Sequence, residues 1–190
     1  MSPRISKIHY NAPVTLTFTF LSFLVLTLGN FTDHVSTNFF FTNFKTSFLD
    51  PFQYFRMISH VLGHASWEHY SGNFLIILLL GPMLEEKYGS KSMVEMLFIT
   101  ALVTGLLNTL AFNTGLLGAS GIVFMFILLS SYANVQTGKI PLTLIIVIFI
   151  FLGKEIVNGF ILKDNISQVT HIIGGLCGGI FGYYIGRNKK

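Results

Sequence analysis

Charge is scarce in this chain of 190 residues: only 11% are Asp, Glu, Lys or Arg, against about 25% in soluble domains. Hydrophobic residues make up 52%. One small core cannot hide so much apolar surface from water, so the expected solvent is a lipid bilayer. Cysteine is almost lacking too. Cys177 stands alone, which excludes a disulfide within the chain and leaves the redox compartment unread. No internal repeat and no low-complexity tract is found, and no stretch is long enough for a separate soluble domain.

A membrane span needs about 20 mostly apolar residues. Six are expected, over residues 13–31, 69–86, 93–112, 119–136, 141–160 and 168–186. The chain therefore reads as an all-α membrane protein forming one domain over 1–190, with short tails at 1–12 and 187–190. Arg4 and Lys7 precede the first hydrophobic run in the manner of a signal peptide. That run is long and ends without a small-residue cleavage site, so it is read as a retained span. No Arg-rich transit peptide is expected.

The net charge of +4 signals orientation rather than nucleic-acid binding. The ends and even-numbered loops carry Arg4, Lys7, Lys87, Lys91, Lys139, Arg187, Lys189 and Lys190. The odd-numbered loops carry only Lys45, Arg56, Lys154 and Lys163. This bias puts both termini in the cytoplasm. The connection from Thr32 to Glu68 is too long for a plain loop. It is rich in aromatics, from Phe39, Phe40 and Phe41 to Trp67, which suits a segment lying partly in the membrane interface.

Polar side chains inside spans are costly and stand out. Ser120 lies in the stretch LLGASGIVF. His69 opens the second span, Asn73 follows four residues later, and His171 lies near the start of the sixth. On a helix, positions i and i+4 share a face, about 6 Å apart along the axis. Even-numbered spans run from outside to inside, so Ser120, His69 and His171 fall at one depth near the outer face.

A serine hydroxyl becomes a nucleophile when a base takes its proton, and neutral histidine can do so near neutral pH. The oxyanion then formed needs fixed donors. A helix starting at Ser120 offers free backbone N–H groups, and His69 and Asn73 can add theirs. Gly118 and Gly121 let the backbone come close to substrate and to a neighbouring helix. Gly174, Gly178 and Gly182 make a close-packing face that could bring His171 to Ser120. Each feature has a plainer reading: glycine-flanked serine as helix packing, His171 as an interior hydrogen-bonded histidine, and His69 with Asn73 as a polar clamp.

The stretch YFRMISHVLGHASWEHYSGNFLIILLLGPMLEEKYGS, then GASG, then HIIGGLCGG, resembles the rhomboid family of intramembrane serine proteases over about residues 54–186. That resemblance implies a compact bundle of six spans with a water-filled cavity open to the outer side. It makes Ser120 the nucleophile and His171 the general base, a dyad without a carboxylate. The oxyanion hole would comprise His69, Asn73 and the Ser120 N–H. Arg56 would tie down the long loop, Glu85 would hold the inner end of span two, and His60 and His64 would hold loop backbone. Phe124 stands where some members carry a tyrosine packed on the basic histidine. Residues 145–168 correspond to the family's gate and cap. Lys154 and Glu155 receive no role.

No metal or cofactor is expected. The implied partners are transmembrane protein substrates and the lipid bilayer, in a plasma membrane, with no nucleic acid. A metalloprotease is disfavoured because His-Glu-x-x-His is missing and HASWEH has one residue too many for His-x-x-Glu-His. Every Asp lies in a loop, against an aspartyl protease. A His-lined transporter and a rhomboid-like pseudoprotease that binds spans without cutting them remain as alternatives.

Overall fold

A computed structural model describes residues 10–132, 142, 145, 146, 149, 150 and 165–188. The described residues are helical apart from loops and one isolated antiparallel bridge between Asn43 and Leu116. The helices are α1 (Pro13–Phe31), α2 (Val35–Phe40), α3 (Pro51–Ser59), α4 (Trp67–Tyr88), α5 (Ser90–Ala111), α6 (Ser120–Tyr132) and α7 (Asn165–Asn188). A 3-10 turn, His60–Leu62, continues α3.

Five of the six expected spans thus fall on α1, α4, α5, α6 and α7. The expected span 141–160 lies mostly outside the described residues, as do Lys154, Glu155 and most of the expected gate at 145–168. By length and hydropathy, α1 and α5 qualify to cross a membrane, and α6 is apolar but shorter. The long connection between α1 and α4 is not a featureless loop. It contains α2, α3 and the 3-10 turn.

Burial runs opposite to that of a water-soluble domain. Asn43, Gln53, Arg56, His60, His64, Glu85 and Asn108 are buried. Leu75, Leu79 and Phe149 are each more than 70% exposed, at 73%, 74% and 79%. Polar groups gathered inside and large apolar groups outside are what a bilayer selects. Between them lies an apolar core of Phe74, Ile77, Leu84, Met93, Met96, Ile122, Met125, Phe126 and Leu129.

Three joints set the frame. Glu85, near the end of α4, accepts from the backbone N–H groups of Val14 and Thr15 at 2.9 Å each, and from the Thr15 hydroxyl. These donors belong to the first turn of α1, which has no intrahelical acceptor for them, and Pro13 starts that turn at a position suited to proline. Ser90 donates at 2.8 Å to Glu85 Oε1, the oxygen that also accepts from Val14, so one carboxylate joins α1, α4 and the start of α5. At α3, Asp50 caps the helix by accepting from Phe52 N–H. The third joint is between α6 and α7, where glycines bring backbones into contact. A methyl group on Gly174 would collide with the Gly121 carbonyl, and one on Gly178 with the Met125 carbonyl.

Candidate active site

Ser120 is the first residue of α6. The turn before it is held at several points. Leu116 and Asn43 exchange backbone hydrogen bonds of 2.8 and 2.9 Å. Asn108 donates to the carbonyls of Thr114 and Asn43. Gly118 N–H donates to the His60 carbonyl at 2.9 Å, and Ala119 N–H to His64 Nε2 at 3.3 Å. Gly118 adopts φ +117°, where side chains are rarely tolerated. It is also crowded by the residues expected in the oxyanion site. A Cβ there would lie 2.6 Å from His69 Cε1, 2.7 Å from His69 Nε2 and 3.8 Å from Asn73 Nδ2.

His171 lies on α7, which faces α6 along the glycine joint. Phe124, one turn beyond Ser120, packs on the His171 ring with centroids 4.4 Å apart. Thr170, beside His171, lies against Gly121, and Gly174, one turn on, abuts the Gly121 carbonyl. The geometry therefore gathers the surroundings of Ser120, His171, His69 and Asn73 at one end of the bundle. Among the described residues, no cluster of His, Cys, Asp or Glu could hold a metal ion.

Arg56 sits apart from this centre, fastening the long connection. It is buried, pairs with Asp50 at 2.7 Å, and donates to Thr46 Oγ1 at 3.2 Å and to the Phe39 carbonyl at 3.4 Å. Its guanidinium also lies 4.6 Å from the centre of the Phe44 ring. Hydrogen bonding to Arg56 holds the Asp50 carboxyl below its usual pKa.

Sequence reasoning missed a buried polar knot that ties this connection to α5. Asn43 donates to the Gly105 carbonyl at 2.7 Å, and Gln53 donates to Asn43 Oδ1 and Thr109 Oγ1 at 3.0 and 3.1 Å. Met57 comes so close to α5 that a methyl group on Gly105 would collide with its carbonyl. The available signal was the presence of Asn43, Gln53 and Asn108 in an otherwise apolar chain.

His60 and His64 both bond to backbone groups. His60 Nε2 lies 3.1 Å from the Ala101 carbonyl, linking the 3-10 turn to α5. Burial pushes both imidazoles down to about 4, opposed at His60 by the Ala101 bond and reinforced at His64 by His69. An unfolded chain takes up these protons near the ordinary 6.5, so between these values it binds more protons than the folded one. Stability is therefore complete above about pH 6.5 and falls on acidification towards pH 4, by up to about 3 kcal/mol per histidine. Thermal midpoints in detergent should drop between about pH 7.5 and pH 5, and His60→Asn should remove about half of that slope. A midpoint independent of pH in the wild type would refute this.

An all-helical bundle with polar side chains turned inward, and a helix-starting serine set against a histidine-bearing helix, defines the class. The rhomboid-domain family model matches residues 51–188. The chain is also 32% identical over 142 residues to Rhomboid-related protein 1 of Caenorhabditis elegans, an alignment that takes in 68% of this chain and 39% of that protein. The chain thus spans well under half the length of that relative. It belongs to the rhomboid family.

Proposed function

We propose that this protein is an intramembrane serine endopeptidase working through a Ser120–His171 dyad. The observation that carries this reading is the packing of Phe124 on His171 at 4.4 Å, one helical turn from Ser120. His69 and Asn73 crowd the Gly118 turn beside it. In the proposed reaction, Ser120 Oγ attacks the peptide carbonyl as His171 accepts its proton. The tetrahedral oxyanion is met by the Ser120 N–H and by the side chains of His69 and Asn73. His171 then protonates the leaving amine, and water hydrolyses the acyl-enzyme with the same histidine as base. Phe124 restrains the imidazole plane during these transfers.

The same reading makes the chain a multi-pass plasma-membrane protein of six spans, with both termini cytoplasmic and the site opening to the outer side. Its substrates are single-span membrane proteins cut near that face. Support comes from the family match, the distribution of basic residues along the chain and the inward-facing polar groups.

A fluorophosphonate probe tests the chemistry in detergent. The wild type should be labelled, and both Ser120→Ala and His171→Ala should lose essentially all labelling while keeping the wild-type melting behaviour. Absence of labelling from the wild type would refute the hydrolase. Co-purification with single-span partners would then indicate a pseudoprotease, and solute-coupled flux a transporter.

A further inference from the structure

We infer that His64 is a positioning residue for the oxyanion site: one imidazole lone pair both aims the Asn73 amide and pins the peptide ahead of Ser120. This rests on the protease reading given above.

The tautomer follows from the partners. His64 Nδ1 lies 3.3 Å from the Leu62 carbonyl, which can only accept, so Nδ1 carries the proton. Nε2 lies 3.3 Å from the Ala119 N–H, which can only donate, so Nε2 presents its lone pair. Asn73 reaches the same Nε2 at 3.1 Å, and only its amide nitrogen can donate there. The lone pair thereby decides which way round the Asn73 amide sits. A flipped amide would set oxygen against nitrogen lone pair inside a site where His64 is completely buried.

That choice matters at the next step. Nδ2 is the Asn73 atom nearest the missing Cβ of Gly118, in the turn leading to Ser120. With nitrogen held there, Asn73 offers its second N–H towards the turn where negative charge would develop. With oxygen there, it would repel that charge. The bond from Ala119 N–H acts on the other flank by fixing the peptide immediately before the nucleophile. The His64 ring is itself caged by His69, Tyr70 and Phe74, at centroid distances of 5.0, 5.6 and 5.5 Å, so it cannot tilt away from either donor. Two donors far apart in sequence are thus referred to one acceptor.

The test compares His64→Leu, which keeps bulk but has no acceptor, with His64→Gln, whose amide oxygen can accept. Turnover of a transmembrane model substrate is measured for both, in wild-type and Asn73→Ala backgrounds, alongside melting curves. His64→Leu should lower kcat by about tenfold to a hundredfold with KM within about twofold, and His64→Gln should recover most of the loss. In the Asn73→Ala background the same change should cost only a few-fold, because the amide it aims is gone. An unchanged kcat in His64→Leu, equal losses for Leu and Gln, or full additivity with Asn73→Ala would overturn the inference. Should the wild type lack Ser120-dependent labelling, the protease reading falls and takes this inference with it. A labelled wild type with an indifferent His64→Leu overturns the inference alone.

Discussion

Replacing Gly174 with valine should prevent α6 and α7 from docking and cost the fold at least about 3 kcal/mol. Even the first added carbon would collide with the Gly121 carbonyl, and that atom is backbone, which cannot rotate out of the way. The helices would have to separate near His171 and Ser120, losing the Phe124–His171 contact as well. Gly179, on the same helix, provides the control, because a Cβ there meets nothing within 4 Å. Gly179→Val should melt close to the wild type, with only the modest penalty of a β-branched residue in a helix. Equal melting temperatures for the two valine variants in detergent would show that the joint does not depend on glycine.

The second large effect is expected at Gly118. Alanine there must adopt φ +117° and place its methyl 2.6 Å from the His69 ring. The backbone strain alone is worth about 1–3 kcal/mol. Moving the ring or the turn also disturbs the proposed oxyanion donors, whose individual loss typically costs about 10²–10³ in turnover. Gly118→Ala should therefore stay folded but lose about a hundredfold or more in kcat. Gly72→Ala, where the added carbon meets nothing, should keep wild-type turnover. Assaying both on one transmembrane substrate decides the matter, and near-wild-type turnover in Gly118→Ala would count against the role given to this turn.

Much of the helical frame was legible from hydropathy, because an apolar run about 20 residues long has few other uses. The helix expected over 69–86 runs from Trp67 to Tyr88 because Ser66 caps it, accepting from His69 N–H. The one expected over 93–112 starts at Ser90, where Gly89 at φ +85° lets the chain reverse. The polar residues Ser120, His171, His69 and Asn73 could be singled out because a greasy chain makes each one conspicuous. What resisted reading was long-range pairing. His64 and Ala119 are 55 residues apart, and nothing local to either announces the other. Glu85 shows the same limit. The resemblance assigned it to the inner end of span two, yet three of its four hydrogen bonds go to the start of α1, about 70 residues away. In the aromatic connection, α2 and α3 are too short, at 6 and 9 residues, for a search for span-length apolar runs to find.

The bridge between Asn43 and Leu116 has a directional consequence. It stitches the connection after α1 to the strap of chain leading into Ser120, and the knot around Gln53 and Thr109 makes that seam stiff. If Ser120 acts as proposed, a peptide bound for its hydroxyl meets paired backbone on this flank. On the proposed protease reading, cross-linking across Asn43 and Leu116 should therefore leave turnover undisturbed, and a loss of turnover would place substrate entry on the seam itself.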